Sequence, residues 1–363
     1  MPSSGDEHLW ALIMAGGAGT RFWPLSRRRR PKQLLRLVDA GTLLAATVER
    51  VAPIIPPERT LVVTVADVAG AVRQELPAVP EGNILVEPVG RDTAPCIAWA
   101  VWRLAARHPD AAMVVLPSDH VVKDGEALRA ALLVAVEWAR RSAGLVALAI
   151  RPTRPETGFG YLELCDPAAE AAGLPVVRVR RFVEKPDRAT ADGYLRSGNF
   201  RWNGGIFAWT CAALMAAVRA HLPALAERLD ALMADAGSRG EEAALADHYP
   251  GLPRVSIDFG VMEKATNVWA VPVEFAWSDL GSWPSLGEVR GAQDGVVVIG
   301  DTVAVDSPGA VLVSDGPLIA TIGARDLVVV ATSDVVLVVP RDRAQEVKVL
   351  VERLRALGRD ELL

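Results

Sequence analysis

The hydrophobic pattern along the chain changes its period near Gly291. Before that residue, short apolar runs such as 9–15, 60–65 and 111–116 alternate with segments such as 43–51, in which apolar residues recur at helical spacing. Strands that alternate with amphipathic helices are typical of a doubly wound, mostly parallel sheet. We therefore expect an α/β, Rossmann-like fold whose ligands bind beyond the carboxyl ends of the strands.

From Gly291 onward, short valine-rich runs alternate with turns such as Ser307-Pro308-Gly309. The runs lie at 296–299, 303–305, 311–313, 318–322, 327–331 and 335–339. Turns at a spacing of roughly ten residues predict a small β-rich domain or a short β-helix, and residues 343–357 predict a closing amphipathic helix. We divide the chain into a larger domain at 1–288, which carries the candidate chemistry below, and a packing or oligomerisation domain at 289–363.

Composition narrows the class of protein. The chain has 363 residues, of which 51% are hydrophobic, and a formal net charge of -5, which gives no global attraction for nucleic acid or an anionic membrane. No apolar run reaches the roughly 18 residues of a membrane span, and the polar segment 1–7 is unlike a signal peptide. Cys96, Cys165 and Cys211 lack the spacing of a metal site, and their odd number argues against a disulfide framework. We expect a soluble, cytoplasmic protein that binds neither nucleic acid nor membrane.

The strongest chemical signal follows the first apolar run. Residues 15–21 read Ala-Gly-Gly-Ala-Gly-Thr-Arg, and glycines without side chains allow backbone N–H groups to close on a polyanion. Arg21 and Lys32 bring one planar and one point-like cation to the same loop. A loop rich in amides with two cations suits a triphosphate.

Two common glycine-rich motifs do not fit this loop. A dinucleotide-binding fingerprint requires glycine where the chain has Phe22, and a P-loop requires Gly-Lys-Ser/Thr where the chain has Gly19-Thr20-Arg21. An ordinary glycine-rich turn of an α/β domain stays open for the glycines alone. Pro24-Leu25 and Pro31-Lys32, which follow the loop, argue against that interpretation.

The glycine loop, together with Phe-Trp-Pro-Leu-Ser at 22–26 and Pro-Lys-Gln at 31–33, resembles the signature of the sugar-1-phosphate nucleotidyltransferases. Its details are similar to the mannose-1-phosphate guanylyltransferase branch, and the resemblance covers essentially the whole chain. It implies a nucleotide-diphospho-sugar transferase fold, a requirement for Mg²⁺ or another divalent cation, and a homodimer.

A second segment that resembles the family follows the predicted strand at 83–86. Glu87 and Arg91 lie in the loop after this strand, and Thr93 is expected to cap the next helix. A capped loop alone does not account for Glu87 and Arg91, and a carboxylate such as Glu87 can accept hydrogen bonds from both N1–H and N2–H₂ of guanine. Asp92 replaces the asparagine usual in the family. The residues that the resemblance assigns to the nucleotide are Ala15, Gly16, Gly17, Gly19, Thr20, Arg21, Lys32, Glu87, Arg91, Asp92, Thr93, Ala94, Ser118 and Asp119.

The predicted strand at 111–116 leads into Pro-Ser-Asp-His at 117–120. Asp119 at the end of this strand lies where a hard divalent cation is held, although a helix cap or a turn also explains an aspartate on spacing alone. The resemblance favours the metal and pairs Asp119 with Asp279 as the second metal ligand. His120 is expected to be structural, because nucleotidyl transfer to an existing phosphate needs no base.

Three segments of the middle region resemble the sugar-binding face of the family. They are residues 155–163, the strand at 176–183 with Glu184-Lys185-Pro186, and residues 201–207, which we expect to form a turn that leads into a strand. Each alone fits an ordinary hairpin. The resemblance implies that Gly160, Glu184 and Asn203 hold sugar hydroxyls, and that Lys185 holds the sugar phosphate. Gly204 replaces the serine usual in the family.

The resemblance implies transfer of a guanylyl group from GTP to mannose 1-phosphate, with GDP-mannose and pyrophosphate as products. The expected catalytic residues are Arg21, Lys32, Asp119, Lys185 and Asp279. Another nucleotide or sugar 1-phosphate is an alternative within the class, and a catalytically silent subunit that binds a nucleotide sugar is an alternative outside it. The intact set of charged residues argues against the silent subunit, and Phe22 argues against a dinucleotide oxidoreductase.

Overall fold

The computed structural model describes residues 6–17, 19–38 and 41–363. Residues 1–5 of the polar N-terminal segment and Ala18 of the glycine loop lie outside the described residues. Within these ranges, none of the helices is both long enough and apolar enough to cross a membrane. Cys96, Cys165 and Cys211 are free.

The larger part of the chain alternates strands and helices, as the hydrophobic pattern predicts. The strands are β1 Leu9–Met14, β2 Thr60–Val65, β3 Ile84–Glu87, β4 Ala112–Pro117, β5 Val121–Val122, β6 Leu145–Ile150, β7 Tyr161–Ala171, β8 Leu174–Val183, β9 Phe200–Thr210, β10 Val268–Val273 and β11 Trp277–Ser278. The helices are α1 Leu43–Val51, α2 Ala66–Glu75, α3 Thr93–Ala105, α4 Gly125–Ser142, α5 Arg188–Ser197, α6 Cys211–His221, α7 Pro223–Arg239, α8 Glu241–His248 and α9 Leu286–Arg290.

One nine-stranded sheet organises this part of the chain, in the order β3-β2-β1-β4-β9-β6-β10-β8-β7. In the described part of the sheet, β8 and β9 run opposite to the other strands. Strands β1, β2 and β4 are almost entirely buried, because helices cover both faces, and such strands are apolar along their whole length. The predicted doubly wound, mostly parallel α/β fold is confirmed.

The central strand β1 contributes to two hydrophobic layers. Its alternate side chains point to opposite faces of the sheet. Trp10 and Leu12 pack in the layer that contains α3, α6 and α7, whereas Leu9, Ala11 and Ile13 pack with α1, α2 and α4. Helix α3 is buried on nearly all sides, which accounts for its apolar sequence. The loop that follows β1 therefore starts from a rigid, fully packed strand.

The prediction that residues 201–207 form a turn before a strand is wrong. These residues lie inside β9, where the pairing with β6 shifts register between Ala147 and Ala149. Gly205 has a φ of 64°, and a Cβ atom at Gly204 would lie 3.0 Å from the carbonyl oxygen of Leu148. The two glycines allow a bulge within the strand instead of a turn.

The six valine-rich runs form the strands of a short β-helix. The strands are β12 Val297–Ile299, β13 Thr302–Val305, β14 Val311–Asp315, β15 Ile319–Ile322, β16 Leu327–Thr332 and β17 Val336–Pro340, and the helix α10 Val347–Ala356 follows them. Strands β12, β14 and β16 pair in parallel, as do β13 and β15, so successive turns of the chain stack on each other. The predicted C-terminal β-helix is confirmed, and the boundary between 288 and 289 stays a prediction.

The C-terminal unit packs on the segment that follows the glycine loop. Phe22 and Trp23 belong to one hydrophobic cluster with Val311 of β14 and with Val347 and Val351 of α10. Val347 and Val351 are four residues apart, so they lie on the same face of α10. This face fixes α10 directly beside the glycine loop.

Candidate active site

Two of the cavities beside the carboxyl ends of β1, β3 and β4 contain most of the predicted site residues, and we call these two the large and the small cavity. The large cavity, of about 450 Å³, is lined by the predicted residues Gly16, Gly17, Glu87, Asp92, Thr93, Gly160, Glu184, Asn203 and Asp279. The small cavity, of about 280 Å³, is lined by Gly19, Thr20, Arg21, Lys32, Asp119 and Asp279. His120 and Asp279 line both cavities. Most of the predicted site residues are therefore brought together, although they come from distant parts of the chain.

The glycine loop is shaped around Lys32. Gly19 has a φ of 58°, and a Cβ atom added there would lie 2.3 Å from the Cβ of Lys32. The Ser26 hydroxyl donates to the Gly19 carbonyl oxygen at 2.8 Å. Only glycine meets both the backbone and the steric requirement at this position.

Lys32 is the buried cation of the small cavity, with an exposed fraction of 5%. Its Nζ donates to Asp119 Oδ2 at 2.8 Å and to the Asp279 carbonyl oxygen at 2.5 Å. Burial alone would raise the pKa of Asp119, but the charge of Lys32, its hydrogen bond and smaller contributions from neighbouring groups together outweigh burial, so the pKa lies below its usual value. Asp119 is therefore a stable carboxylate.

Asp279 lines the small cavity together with Asp119. Burial raises the pKa of Asp279, with a further rise from the charge of Asp119, while Lys32 opposes both effects. Two carboxylates in the lining of one cavity suit a hard cation, because Mg²⁺ is commonly held by one or two carboxylates together with substrate phosphates. Among the residues that the structure describes, no group of three or more His, Cys, Asp or Glu side chains is arranged to hold a metal. The donors present therefore fit a cation whose remaining ligands come from the substrate.

His120 joins the two cavities but carries no charge near neutral pH. Burial lowers the pKa of His120 to about 4, although Asp119 opposes this shift. Its ring lies edge-on to Trp277, with the ring centroids 5.2 Å apart. These features suit the predicted structural role better than proton transfer.

Glu87 forms the buried acidic end of the large cavity. The sequence predicted that Glu87 lies in the loop after the strand, but it is the last residue of β3. The Tyr249 hydroxyl donates to Glu87 Oε1 at 2.7 Å, and Oε2 faces Gly16, whose hypothetical Cβ would lie 3.6 Å away. Burial raises the pKa of Glu87 to about 7, with the Tyr249 hydrogen bond opposing the shift.

The helix cap beside Glu87 is Asp92, and the prediction of Thr93 as the cap is wrong. The Asp92 carboxylate accepts from the Thr93 N–H at 2.7 Å. Thr93 is the first residue of α3, and its hydroxyl accepts from the Ile257 N–H at 2.9 Å. Asp92 has a φ of 71° and a ψ of −178°, a backbone conformation that residues other than glycine rarely adopt.

The other end of the large cavity gathers Gly160, Glu184 and Asn203. A Cβ atom at Gly160 would lie 2.4 Å from Glu184 Oε2, so the carboxylate approaches the backbone only because the residue is glycine. That oxygen is buried without a hydrogen-bond partner in the described structure. Glu184 Oε1 accepts from Lys185 Nζ at 2.7 Å, and Asn203 Nδ2 donates to Asp258 Oδ1 at 2.8 Å.

Five predicted residues line neither cavity. They are Ala15, Arg91, Ala94, Ser118 and Lys185. Ala15 and Ser118 are buried, and their backbone groups hold neighbouring segments, because the Ala15 carbonyl accepts from Gln33 and the Ser118 N–H donates to Met14. The Arg91 guanidinium donates to the Pro250 carbonyl oxygen. Lys185 is exposed and lies beside the large cavity through its contact with Glu184.

Sequence reasoning missed Asp258 and Lys348, which line the cavities, and Tyr249, which contacts Glu87 of the large cavity. Tyr249 orients Glu87 from a position 162 residues away in the sequence. Asp258 lines the large cavity, and burial followed by the nearby Glu184 raises its pKa to about 7. Lys348 of α10 lines the small cavity. A single acid in the apolar stretch around Asp258 is a sequence signal, whereas nothing local marks the other two.

Comparisons with known families match this arrangement of two units. The family model described as "Nucleotidyl transferase" matches residues 10–293. The model described as "MannoseP isomerase/GMP-like beta-helix domain" matches residues 300–354. Together the two models cover nearly all of the large sheet with its cavities and most of the β-helix and of α10.

Individual relatives match over nearly the whole chain. The xanthan biosynthesis protein XanB of Xanthomonas campestris pv. campestris (strain B100) is 40% identical over 356 residues, which are 96% of this chain and 74% of that protein. The mannose-1-phosphate guanylyltransferase of Klebsiella pneumoniae is 36% identical over 97% of this chain and 75% of that protein. A crystal structure described as a mannose-1-phosphate geranyltransferase from Thermus thermophilus superposes with a TM-score of 0.85 and 43% identity, over 96% of this chain and 99% of that chain. The chain thus belongs to the nucleotidyl transferase family, among homologues of mannose-1-phosphate guanylyltransferase.

Proposed function

We propose that the chain transfers the guanylyl group of GTP to mannose 1-phosphate, giving GDP-mannose and pyrophosphate. The observation that carries this proposal is the position of Lys32, whose ammonium joins Asp119 to Asp279 where the two cavities meet. A nucleotide sugar with its base and sugar in the large cavity would have its phosphates beside this cation. The name of the Klebsiella pneumoniae relative supports the choice of GTP and mannose 1-phosphate.

The position of Glu87 supports the proposal that the base of the nucleotide is guanine. Tyr249 occupies Oε1 of this carboxylate, which leaves Oε2 directed towards Gly16 and the large cavity. Guanine offers two adjacent donors, N1–H and N2–H₂, whereas adenine has an acceptor at N1. A buried carboxylate left without its donors is strongly unfavourable, so this contact would discriminate between the two bases.

The proposed reaction is one in-line displacement. An oxygen of the sugar phosphate forms a bond to the α-phosphorus of GTP, while the bond from the α-phosphorus to the oxygen that bridges to the β-phosphorus breaks. The electron pair leaves with pyrophosphate. The attacking oxygen is already ionised, so no proton has to be removed, which agrees with an uncharged His120. The chain positions the reactants and neutralises charge, with Lys32 and Arg21 on the side of the leaving pyrophosphate.

Asp119 and Asp279 would hold a divalent cation, which we propose to be Mg²⁺. Their donor set fits a hard cation that takes further oxygen ligands from the nucleotide. A cation bound there supplies charge neutralisation for the reacting phosphates. Because Lys32 Nζ already bonds Asp119 Oδ2, the other oxygen of that carboxylate is the available ligand.

The side chains at the Gly160 end of the large cavity support the proposal that a sugar phosphate binds there. Glu184 Oε2 is an unused acceptor in a buried position, which suits a sugar hydroxyl. The Asn203 side chain is held by Asp258 and by the Gly205 N–H, so it is already oriented. Lys185, the exposed cation beside Glu184, is proposed to contact the phosphate of the sugar.

We also propose that the chain forms a homodimer through its β-helix. Strands β13 and β15 expose apolar side chains to solvent, namely those of Val303, Val305 and Ile322, and Ile322 is 84% exposed. Contiguous exposed apolar surface is typical of an interaction site. Light scattering after gel filtration should therefore report a dimer for the native chain and a monomer for Ile322→Lys, whereas a dimeric variant would contradict this interface. The cytoplasmic location stays a prediction.

Pyrophosphate release tests the proposed reaction. The purified chain is incubated with Mg²⁺, each of the four NTPs, and mannose 1-phosphate, glucose 1-phosphate or no sugar phosphate. We expect the highest kcat/KM for GTP with mannose 1-phosphate. Faster turnover with another NTP would overturn the assignment of guanine, and faster turnover with glucose 1-phosphate would overturn the assignment of mannose. No release in any combination would support a silent subunit.

A further inference from the structure

The small cavity contains a cation that comes from the C-terminal unit. Lys348 of α10 lines this cavity together with Arg21, Lys32, Asp119 and Asp279. The β-helix match ends at residue 354 and includes Lys348, whereas the nucleotidyl transferase match ends at residue 293. A side chain outside the large sheet therefore reaches the candidate site for phosphates.

Packing fixes Lys348 at this place. The neighbouring Val347 and Val351 are buried against Phe22 and Trp23, the residues that directly follow the glycine loop. The preceding Gln345 donates to the Ser282 hydroxyl at 3.4 Å, which links this end of α10 to the segment after Asp279. The backbone of Lys348 is thus held from both sides while its side chain stays exposed.

Without Lys348, the formal charges of the ionised side chains that line the small cavity sum to zero. Arg21 and Lys32 carry two positive charges, and Asp119 and Asp279 carry two negative charges when ionised, so these four formal charges sum to zero. Lys32 is already engaged by Asp119. Neither Arg21 nor Lys348 forms an ion pair with any part of the chain that the structure describes. Lys348 gives the cavity its excess of positive charge.

We propose that Lys348 binds the β- and γ-phosphates of the nucleotide, and therefore the pyrophosphate that leaves. This inference deepens the proposed function, although it needs only a nucleotide triphosphate and not the identity of base or sugar. Pyrophosphate is a polyanion, and a long, flexible ammonium can follow it as the bond to the α-phosphorus breaks. The β-helix then has a role in substrate binding in addition to packing.

Three variants test the proposal. Lys348→Met removes the charge and keeps most of the apolar stem, and Lys348→Arg retains a cation. Arg353→Met is the matched control, because Arg353 is an exposed cation of the same helix and does not line the small cavity. Two measurements are made on the full chain: the affinity for pyrophosphate with Mg²⁺ by calorimetry, and the KM for pyrophosphate in the reverse reaction with GDP-mannose.

We expect Lys348→Met to weaken pyrophosphate binding and to raise its KM by about tenfold, the scale of one lost charge-assisted hydrogen bond. Lys348→Arg should stay within a few-fold of the native chain, and Arg353→Met should match it. Equal affinities for the native chain and Lys348→Met, or an equal loss in Arg353→Met, would overturn the proposal. If the native chain binds pyrophosphate but shows no turnover, the calorimetry still decides the role of Lys348, and the proposed reaction alone fails.

Discussion

The large cavity and the small cavity differ in how their polar side chains are partnered. In the large cavity, Tyr249 holds Glu87 and Asp258 holds Asn203 before any ligand binds. In the small cavity, Arg21 and Lys348 form no ion pair within the described residues. A base and a sugar keep their shape during the reaction, so fixed hydrogen bonds suit them. Phosphates change their charge and position, so long unpaired cations suit them.

The two cavities also differ in how burial affects their acids. Burial raises the pKa of Glu87 and of Asp258 to about 7 in the large cavity. In the small cavity, Lys32 helps to keep the pKa of Asp119 below its usual value despite burial, whereas burial raises the pKa of Asp279, which lines both cavities. We therefore expect recognition of base and sugar to depend on pH near neutrality, and the interactions of Asp119 at the phosphates to depend on it much less.

Replacing Lys32 should have the largest effect. Lys32→Met removes the cation that meets charge as it grows on pyrophosphate, and the loss of one such preorganised partner lowers kcat by about 100- to 1,000-fold. Steady-state kinetics at saturating GTP and mannose 1-phosphate measure this. Lys123→Met, which removes an exposed lysine outside both cavities, is the control. A change confined to the KM of the sugar phosphate would mean that Lys32 does not act on the leaving group.

Asp119 and Asp279 of the small cavity should determine the Mg²⁺ concentration that the reaction needs. Asp119→Asn and Asp279→Asn each replace a charged oxygen ligand by a neutral one. Loss of a residue that only hydrogen-bonds to a metal ligand commonly lowers metal affinity by about 10- to 100-fold. Loss of a direct ligand should cost at least as much, so each variant should need at least about tenfold more Mg²⁺ for half-maximal rate. The exposed Asp294→Asn serves as a control. An unchanged Mg²⁺ titration would remove that aspartate from the proposed metal site.

Acidification should weaken ligand binding in the large cavity at a higher pH than in the small cavity. Guanine donors need an ionised Glu87, and with a pKa of about 7 only about a tenth of the chains carry this carboxylate at pH 6. Because apparent affinity falls with the competent fraction, the dissociation constant for GTP should rise about tenfold from pH 8 to pH 6. Calorimetry with Mg²⁺ and GTP measures it, and pyrophosphate, which lacks a base, is the matched ligand.

Tyr249→Phe sharpens this test. The Tyr249 hydroxyl lowers the pKa of Glu87 against the effect of burial, so its removal should shift the midpoint of the GTP profile to higher pH. The profile for pyrophosphate should not move. A GTP profile that is flat between pH 6 and pH 8 would show that the ionised Glu87 does not contact the base.

The sequence predicts the parts of this site that depend on local backbone requirements. The glycine loop is recognisable because Gly19 must adopt a left-handed conformation against Lys32. The same local logic failed in β9, where Gly204 and Gly205 indicate a turn but in fact accommodate a bulge against β6. A short glycine-containing stretch does not reveal which strand will lie beside it.

Contacts between distant segments could not be predicted from the sequence. The hydrogen bond from Tyr249 to Glu87 depends on how the end of α8 packs against β3. Lys348 looks like any exposed lysine of an amphipathic helix, and its neighbours Val347 and Val351 predict only that one face is buried. Which surface that face covers is decided by the fold, and here it is the segment after the glycine loop.

Replacing Lys185 should have the smallest effect, and it compares the two cavities most directly. The Lys185 side chain is 58% exposed and bonds Glu184, whereas Lys32 is buried. Its proposed partner, the sugar phosphate, is charged before and during the reaction, so the interaction contributes equally to both states and its loss raises KM with little change in kcat. Exposed ion pairs contribute at most about 1 kcal/mol, so the KM for mannose 1-phosphate should rise by no more than about fivefold in Lys185→Met. Lys185→Arg should restore it, and a fall in kcat without a change in KM would mean that the roles of Lys185 and Lys32 are reversed.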